Sequence, residues 1–257
     1  MLPPVDGDVA RLGDSVTTNV SLHKVDAYWS EILGVSSAEW LAPGLHIVHH
    51  ATTLADFQGV YVVQRGETVI VSVPARLVED TIAGLANCDL SQPLNAAVVS
   101  AIYGDAVERT IGPAWISYAD ATDFRATEDR GARLLLGGDQ PMLRMLAEAC
   151  SADEWEHSGI AFDRPPIFGC FVGGRLAAAS SYARWGQDIL HVGVVTHPDL
   201  RYKGLGRAVA SLTTAHGLAE GGIMQWQTLG TNRASLAVGH ALGYRLYLET
   251  LSIRFQN

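Results

Sequence analysis

The stretch "VVTHPDLRYKGLGRAVASL", residues 194–212, is the tightest constraint on what this chain can become. β-Branched residues run into a proline-marked polar turn, glycines follow at 204 and 206, and apolar residues then recur at helical spacing. A strand feeding a helix through so short a turn leaves the first helical N–H groups facing outward. Four such donors have no intrahelical partner, and the macrodipole adds roughly half a positive charge. Gly204 and Gly206 leave the main chain open to a ligand, and Arg201, Lys203 and Arg207 surround it with positive charge. The expectation is an anion site, and a diphosphate matches it best.

Other phosphate motifs fit worse. The chain has no G-x-x-x-x-G-K-[ST], and "GLGRAV" lacks the third small residue of G-x-G-x-x-G. ATP and NAD are therefore disfavoured. The formal net charge of -9 argues against nucleic acid, which needs a basic face, and suits an amine-bearing substrate. Cys88, Cys150 and Cys170 form neither a disulfide framework nor a C-x-x-C pair. The first residues lack a signal peptide's apolar core, and no uncharged apolar run reaches the ~18 residues a membrane span needs. These features predict a cytoplasmic protein with no membrane contact.

Along the chain, a loose arm over residues 1–20 precedes a helix at 22–33 and a strand at 45–50. A hairpin follows around "QRGE", then helices at 75–86 and 93–103, then strand-like residues punctuated by Gly112-Pro113. The polar stretch 120–132 reads as a linker. Beyond it come a short strand, a helix at 139–150, a hairpin across Gly173-Gly174 and the strand "DILHVGVVT". The helix from Leu205, the strand "IMQWQTL", a helix capped by Asn232 and one or two closing strands complete the order. The predicted fold class is α+β (α/β-like), a mixed, mostly antiparallel twisted sheet flanked by helices. The predicted units are residues 1–125, an accessory α+β domain that resembles a degenerate copy, and residues 126–257.

Two segments together, "VVTHPDLRYKGLGRAV" and "TLGTNRASLAVGHALGY", resemble the GCN5-related N-acetyltransferase (GNAT) family. The shared pattern is Arg201, Gly204 and Gly206 after the strand end, then Asn232, then Gly243-Tyr244. The resemblance covers the C-terminal half and implies the GNAT acyltransferase fold. It also implies that the backbone amides of Tyr202, Lys203, Gly204, Leu205, Gly206 and Arg207 hold the pyrophosphate of coenzyme A. Val194, Val195 and Thr196 would pair with the pantetheine arm, one of their amides polarising the thioester carbonyl. Asn232 would touch the pantetheine or cap its own helix.

The catalytic side chains are less readable. Where the family often has a tyrosine, seven residues after the asparagine, this chain has Gly239; His240 and Ser235 stand nearby as candidate acids. Leu190 falls near the place where some members carry a glutamate base. His191 is adjacent, but one step along a strand turns a side chain to the opposite face. Glu154, with Glu156 and His157, is a further candidate to deprotonate or recognise an ammonium, and Trp155 and Trp185 are candidates to line the pocket. "HIVHH" (46–50) places His49 opposite His46 and His50 with no carboxylate close by, so no metal is expected. The expected activity is acetyl-CoA-dependent transfer of an acetyl group to a primary amine of a small molecule by direct attack, the N-terminal half either shaping the acceptor cleft or mediating a homodimer. A non-catalytic acyl-CoA-binding sensor or scaffold is the alternative.

Overall fold

A computed structural model describes residues 20–86, 88 and 95–256. The expected N-terminal arm lies, but for residue 20, outside the described residues, as does the start of the helix expected from residue 93. The N-terminal half contains α1 (Val20–Leu33), α2 (Ser37–Leu41), β1 (Gly44–His49), β2 (Gly59–Arg65), β3 (Thr68–Val73), α3 (Val78–Leu85), α4 (Ala96–Tyr103) and β4 (Val107–Ala119). The C-terminal half contains β5 (Arg133–Leu134), α5 (Gln140–Ala149), α6 (Ala152–Ser158), β6 (Ile167–Val172), β7 (Arg175–Trp185) and β8 (Ile189–Thr196). It closes with α7 (Leu205–Ala219), β9 (Ile223–Leu229), α8 (Arg233–Ala241) and β10 (Arg245–Phe255).

The ten strands of the described residues join one sheet, in the order β1-β3-β2-β10-β4-β9-β8-β7-β6-β5. Only β1–β3 and β8–β9 pair in parallel; the other neighbours are antiparallel. The mixed, mostly antiparallel α+β sheet expected from the sequence is the one observed. Residues on either side of position 125 share it: β4 lies between β9 and β10, and β10 also pairs with β2. The polar stretch 120–132 is docked to the body of the protein. Arg125 N–H donates to the Leu242 carbonyl at 2.9 Å, and Thr127 N–H donates to Ser211 Oγ at 3.0 Å.

Gly112-Pro113 interrupts nothing. β4 runs through it at an irregularity of register opposite Thr250–Ser252, a setting that tolerates a strand proline. Gly112 adopts φ +130°, and a Cβ there would meet the Thr250 carbonyl at 2.7 Å. The closing segment is a single strand, β10.

The apolar periodicities place helices on both faces of the sheet. On one face α1 and α2 bury Val25, Trp29, Leu33 and Trp40 against Ile70, Ile116, Tyr118, Ile189 and Leu248, while α5 buries Leu143 and Leu146 against Ile167 and Val195. On the other, α3 and α4 cover Val62, Val71 and Leu251, and α7 and α8 cover Cys170, Leu190, Val192, Met224 and Trp226. Period-2 alternation therefore sends Ile189, His191, Gly193 and Val195 of β8 to the α1/α5 face. Leu190, Val192, Val194 and Thr196 go to the α7 face.

Candidate active site

β8 and β9 are paired only at Ile189–Ile223, Leu190–Met224 and His191–Gln225. β8 then continues to Thr196 along β7, and β9 continues to Leu229 along β4, so the sheet opens into a V. Ile223 N–H donates to the Asp188 carbonyl across this seam, whereas His197 N–H donates to Ala177 across the other. That parity turns the main-chain groups of Val192, Val194 and Thr196 into the opening, beyond the last paired residue. Val195 is different: its main chain faces β7 and its side chain lies in the core against α5. Of the three residues expected to meet the pantetheine, Val194 and Thr196 have the required orientation. Val192, which sequence reasoning passed over, shares it.

α7 begins at the mouth of this opening. Tyr202, with φ +62°, and Gly204, with φ +77°, both stand in the left-handed region, and no side chain caps the helix start. Such alternation makes a concave nest of N–H groups. Leu205, Gly206 and Arg207 form the first turn, where amides lack intrahelical acceptors. Tyr202 is 96% exposed and contributes main chain rather than packing. Gly206 has a second reason to be glycine, because a Cβ there would lie 2.7 Å from Thr196 Oγ1. The helix start is pressed onto the strand end, and that approach fixes the nest relative to the V.

The cations divide their work. Arg201 donates from Nη2 to Glu154 Oε1 at 2.7 Å and from Nε to the Thr196 carbonyl at 3.3 Å, so it ties α6 to the turn. Lys203 is exposed and Arg207 half-buried. Arg130, in the stretch taken for a linker, donates to the Lys203 carbonyl at 3.1 Å, with its guanidinium 3.7 Å from where a Gly204 Cβ would be. It is a cation of the site that sequence reasoning missed; an arginine next to Gly131 in a polar run gave no signal.

The candidate catalytic side chains scatter. Glu154 closes a capping box with Ser151 at the start of α6 and pairs with Arg201. The Ser151 N–H bond, then Arg201, hold its carboxyl below the usual range, which weakens it as a base. Glu156 and His157 are exposed, His157 donating to the Asp153 carbonyl. Trp155 packs half-buried against the α5/α6 core and stacks on the exposed Phe162. Asn232 accepts from Ser235 N–H at 3.1 Å and so caps α8. Ser235 Oγ in turn accepts from Trp226 Nε1 at 3.1 Å, leaving its own proton to donate elsewhere. His240 is exposed on α8. The glycine at 239 has a steric cause, since a Cβ would touch the buried Trp226 indole at 3.0 Å. Trp226 fills the space a larger residue at 239 would need.

His191 stands at the vertex of the V on the α1/α5 face, partly exposed, its ring stacked on Trp185 at 4.2 Å and 17°. Gln225 lies 3.3 Å from its Nδ1. Burial pushes the imidazole down to about 4, so it is neutral over the physiological range. Two residues on, a Cβ at Gly193 would lie 1.6 Å from the Ser158 carbonyl, and this glycine allows α6 to close over β8.

The histidines of "HIVHH" serve the fold. His46 bonds the Ala42 carbonyl, His49 the His50 carbonyl, and His50 bridges Ser72 Oγ and the Gly59 carbonyl. Among the described residues no group of three or more His, Cys, Asp or Glu is placed to hold a metal. No described helix is long and apolar enough to cross a membrane.

A sheet opened between two parallel strands, with an uncapped helix start at its mouth, is an α+β arrangement with room for an extended ligand and free N–H groups for an anionic one. Residues 172–250 match the model of a family described as GNAT acetyltransferase, a match that supports a member of that family in the C-terminal part of the chain. A structure from Colwellia psychrerythraea, described as an acetyltransferase from the GNAT family, is similar over 91% of this chain and 96% of its own, at 14% identity and a TM-score of 0.52. A putative GNAT-family acetyltransferase from Novosphingobium aromaticivorans shares 22% identity over 59% of this chain and 67% of its own, with a TM-score of 0.46. No curated protein matches the sequence.

Proposed function

We propose that the protein is an acetyl-CoA-dependent N-acetyltransferase acting on a primary amine of a small molecule. The observation that supports this best is the V between β8 and β9, with the edges of Val192, Val194 and Thr196 turned into it and the α7 nest at its mouth. The pantetheine would lie along β8 as a short extra strand. The pyrophosphate would sit on the amides from Tyr202 to Arg207, assisted by Lys203 and Arg130.

The chemistry follows from that placement. The free amine adds to the thioester carbonyl, a C–N bond forms, and the Val194 N–H stabilises the oxyanion. Collapse breaks the C–S bond, the electron pair leaves on sulfur, and the amine's surplus proton passes to water. The departing thiolate regains a proton from water, and Ser235, whose hydroxyl proton is free to donate, is the stronger of the two candidates to relay it while being reprotonated in turn. The acidic net charge suits a cationic acceptor, and three free cysteines suit a reducing, cytoplasmic setting. We also expect a homodimer, and neither nucleic acid nor membrane as partner.

The test is release of free thiol from acetyl-CoA in the presence of a panel of small amines. One observation favours a second reading: position 239 holds a glycine in close contact with the Trp226 indole and so no tyrosine acid, as in a coenzyme-binding sensor or scaffold without turnover. Tight coenzyme binding by calorimetry with no thiol release on any amine would favour the sensor. Turnover would dismiss it.

A further inference from the structure

His191 is the end of a one-way chain of hydrogen bonds that begins in the N-terminal half. The Trp29 indole can only donate, and its Nε1–H reaches the Tyr118 oxygen at 2.9 Å. The Tyr118 proton therefore goes onward, to Gln225 Oε1 at 2.7 Å. With its oxygen so engaged, the Gln225 amide presents its NH2 group to His191 Nδ1 at 3.3 Å. Nδ1 must accept. A proton there would set two N–H groups against each other in a largely buried site, where an unmade hydrogen bond is costly.

We infer that His191 is locked as the neutral imidazole with its proton on Nε2, and that it offers this proton as a hydrogen-bond donor to an oxygen of the acceptor molecule instead of acting as the base. The donor role rests on the acyl-transfer reading above; the lock does not. Among the described residues no hydrogen bond engages Nε2, and His191 as a residue keeps part of its surface exposed at the vertex of the V. Trp185 covers one face of the ring and fixes its plane. The donor lies on the face of α1, α5 and α6, away from α7, so it serves the acceptor side. Three residues of strand separate it from Val194, roughly 10 Å, which leaves the oxyanion to the main chain. The acceptor class that follows is a small amine bearing a hydroxyl, carboxamide or carboxylate oxygen near its nitrogen. Gln225 and Tyr118 are positioning residues, and through them the N-terminal half sets the protonation pattern of the site.

The lock can be read without coenzyme or substrate. In protein labelled with 15N-histidine, the ring of residue 191, assigned by its loss in His191→Gln, should show a bare Nδ1 and a protonated Nε2 at neutral and mildly acidic pH. Gln225→Glu places an oxygen opposite Nδ1 and should move the proton there. A wild-type ring protonated on Nδ1, or a folded Gln225→Glu variant with an unchanged tautomer, would overturn the lock. If that variant does not fold, the wild-type spectrum alone decides.

The donor role is read by kcat/KM on pairs of amines that differ only in carrying an oxygen or a methylene. Wild-type protein should prefer the oxygen-bearing partner about ten- to a hundredfold, the usual worth of one buried hydrogen bond. His191→Phe should abolish the preference, and His191→Gln, whose amide nitrogen can occupy the Nε2 position, should restore part of it. No preference in the wild type, or one surviving in His191→Phe, ends the donor role. Absence of turnover on every amine ends the acyl-transfer reading and the donor role with it, while the tautomer measurement stands or falls separately.

Discussion

β9 has two edges, and they have opposite fates. Toward β4 it is paired along its length, from Met224–Ala119 to Leu229–Ala114. Toward β8 pairing stops after Gln225. The closed edge is made with a strand from the N-terminal half and the open one with a strand of its own half. The contrast teaches that the cleft is a property of one seam and not of a loose sheet. The N-terminal half supplies the rigid wall against which that seam can stay open, and its Trp29 and Tyr118 reach the vertex from there.

The largest effect expected from this contrast is loss of folding when the wall is removed. Residues 126–257 expressed alone should be insoluble or lack a cooperative melt, because β9 and β10 would each lose a full-length partner and expose long edges. A folded, coenzyme-binding fragment by circular dichroism and calorimetry would show that the closed seam is dispensable.

At the open seam, Gly206→Ala should cost about 1–3 kcal/mol in denaturant unfolding and weaken coenzyme binding, because the new methyl meets Thr196 Oγ1. Thr196→Ala in the same chain should recover most of the loss, since the two positions touch. If stability is recovered but affinity is not, Gly206 faces the ligand as well as the strand.

The vertex should respond to pH. His191 titrates near 6.5 when unfolded and about 4 when folded, so the unfolded chain takes up the proton first as pH falls. Its contribution is complete above pH 6.5 and is lost as pH falls toward 4. The loss is on the order of 3 kcal/mol, and His50, also shifted down by burial, adds in the same direction. Urea midpoints across that window should fall less steeply in His191→Gln; an equal slope would mean that His191 is not the group responsible.

The smallest effect belongs to His240→Ala. The residue is exposed on α8, so stability should change by less than about 0.5 kcal/mol and thiol release should not change. A fall in turnover would return it to the shortlist of acids.

The strand-turn-helix that carries the cleft was legible because its signals are local. Proline, two glycines and helical spacing lie within one short segment, and the C-terminal half of the fold followed from such segments in order. What could not be read was pairing at long range. β4 and β9 are far apart in sequence, and nothing in "PAWISYA" announces that it will lie beside "IMQWQTL". The same holds for the catalytic side chains. Glu154 looked available until Arg201 and Ser151 were found on it, and Gly239 looked like a lost acid until the Trp226 indole was found against it. Gln225, a buried polar residue in the strand "IMQWQTL", belongs to a network whose other members come from α1, β4 and β8.

The position of β4 bears on how the polypeptide is made. It leaves the ribosome about 100 residues before β9 is complete, a wait of roughly 5–20 s at ordinary rates of translation. Through that interval Ile116 and Tyr118 have the α1 and α2 part of their cluster but lack Ile189, Ile223 and Leu248, so the nascent protein should be a chaperone client until its last strands emerge.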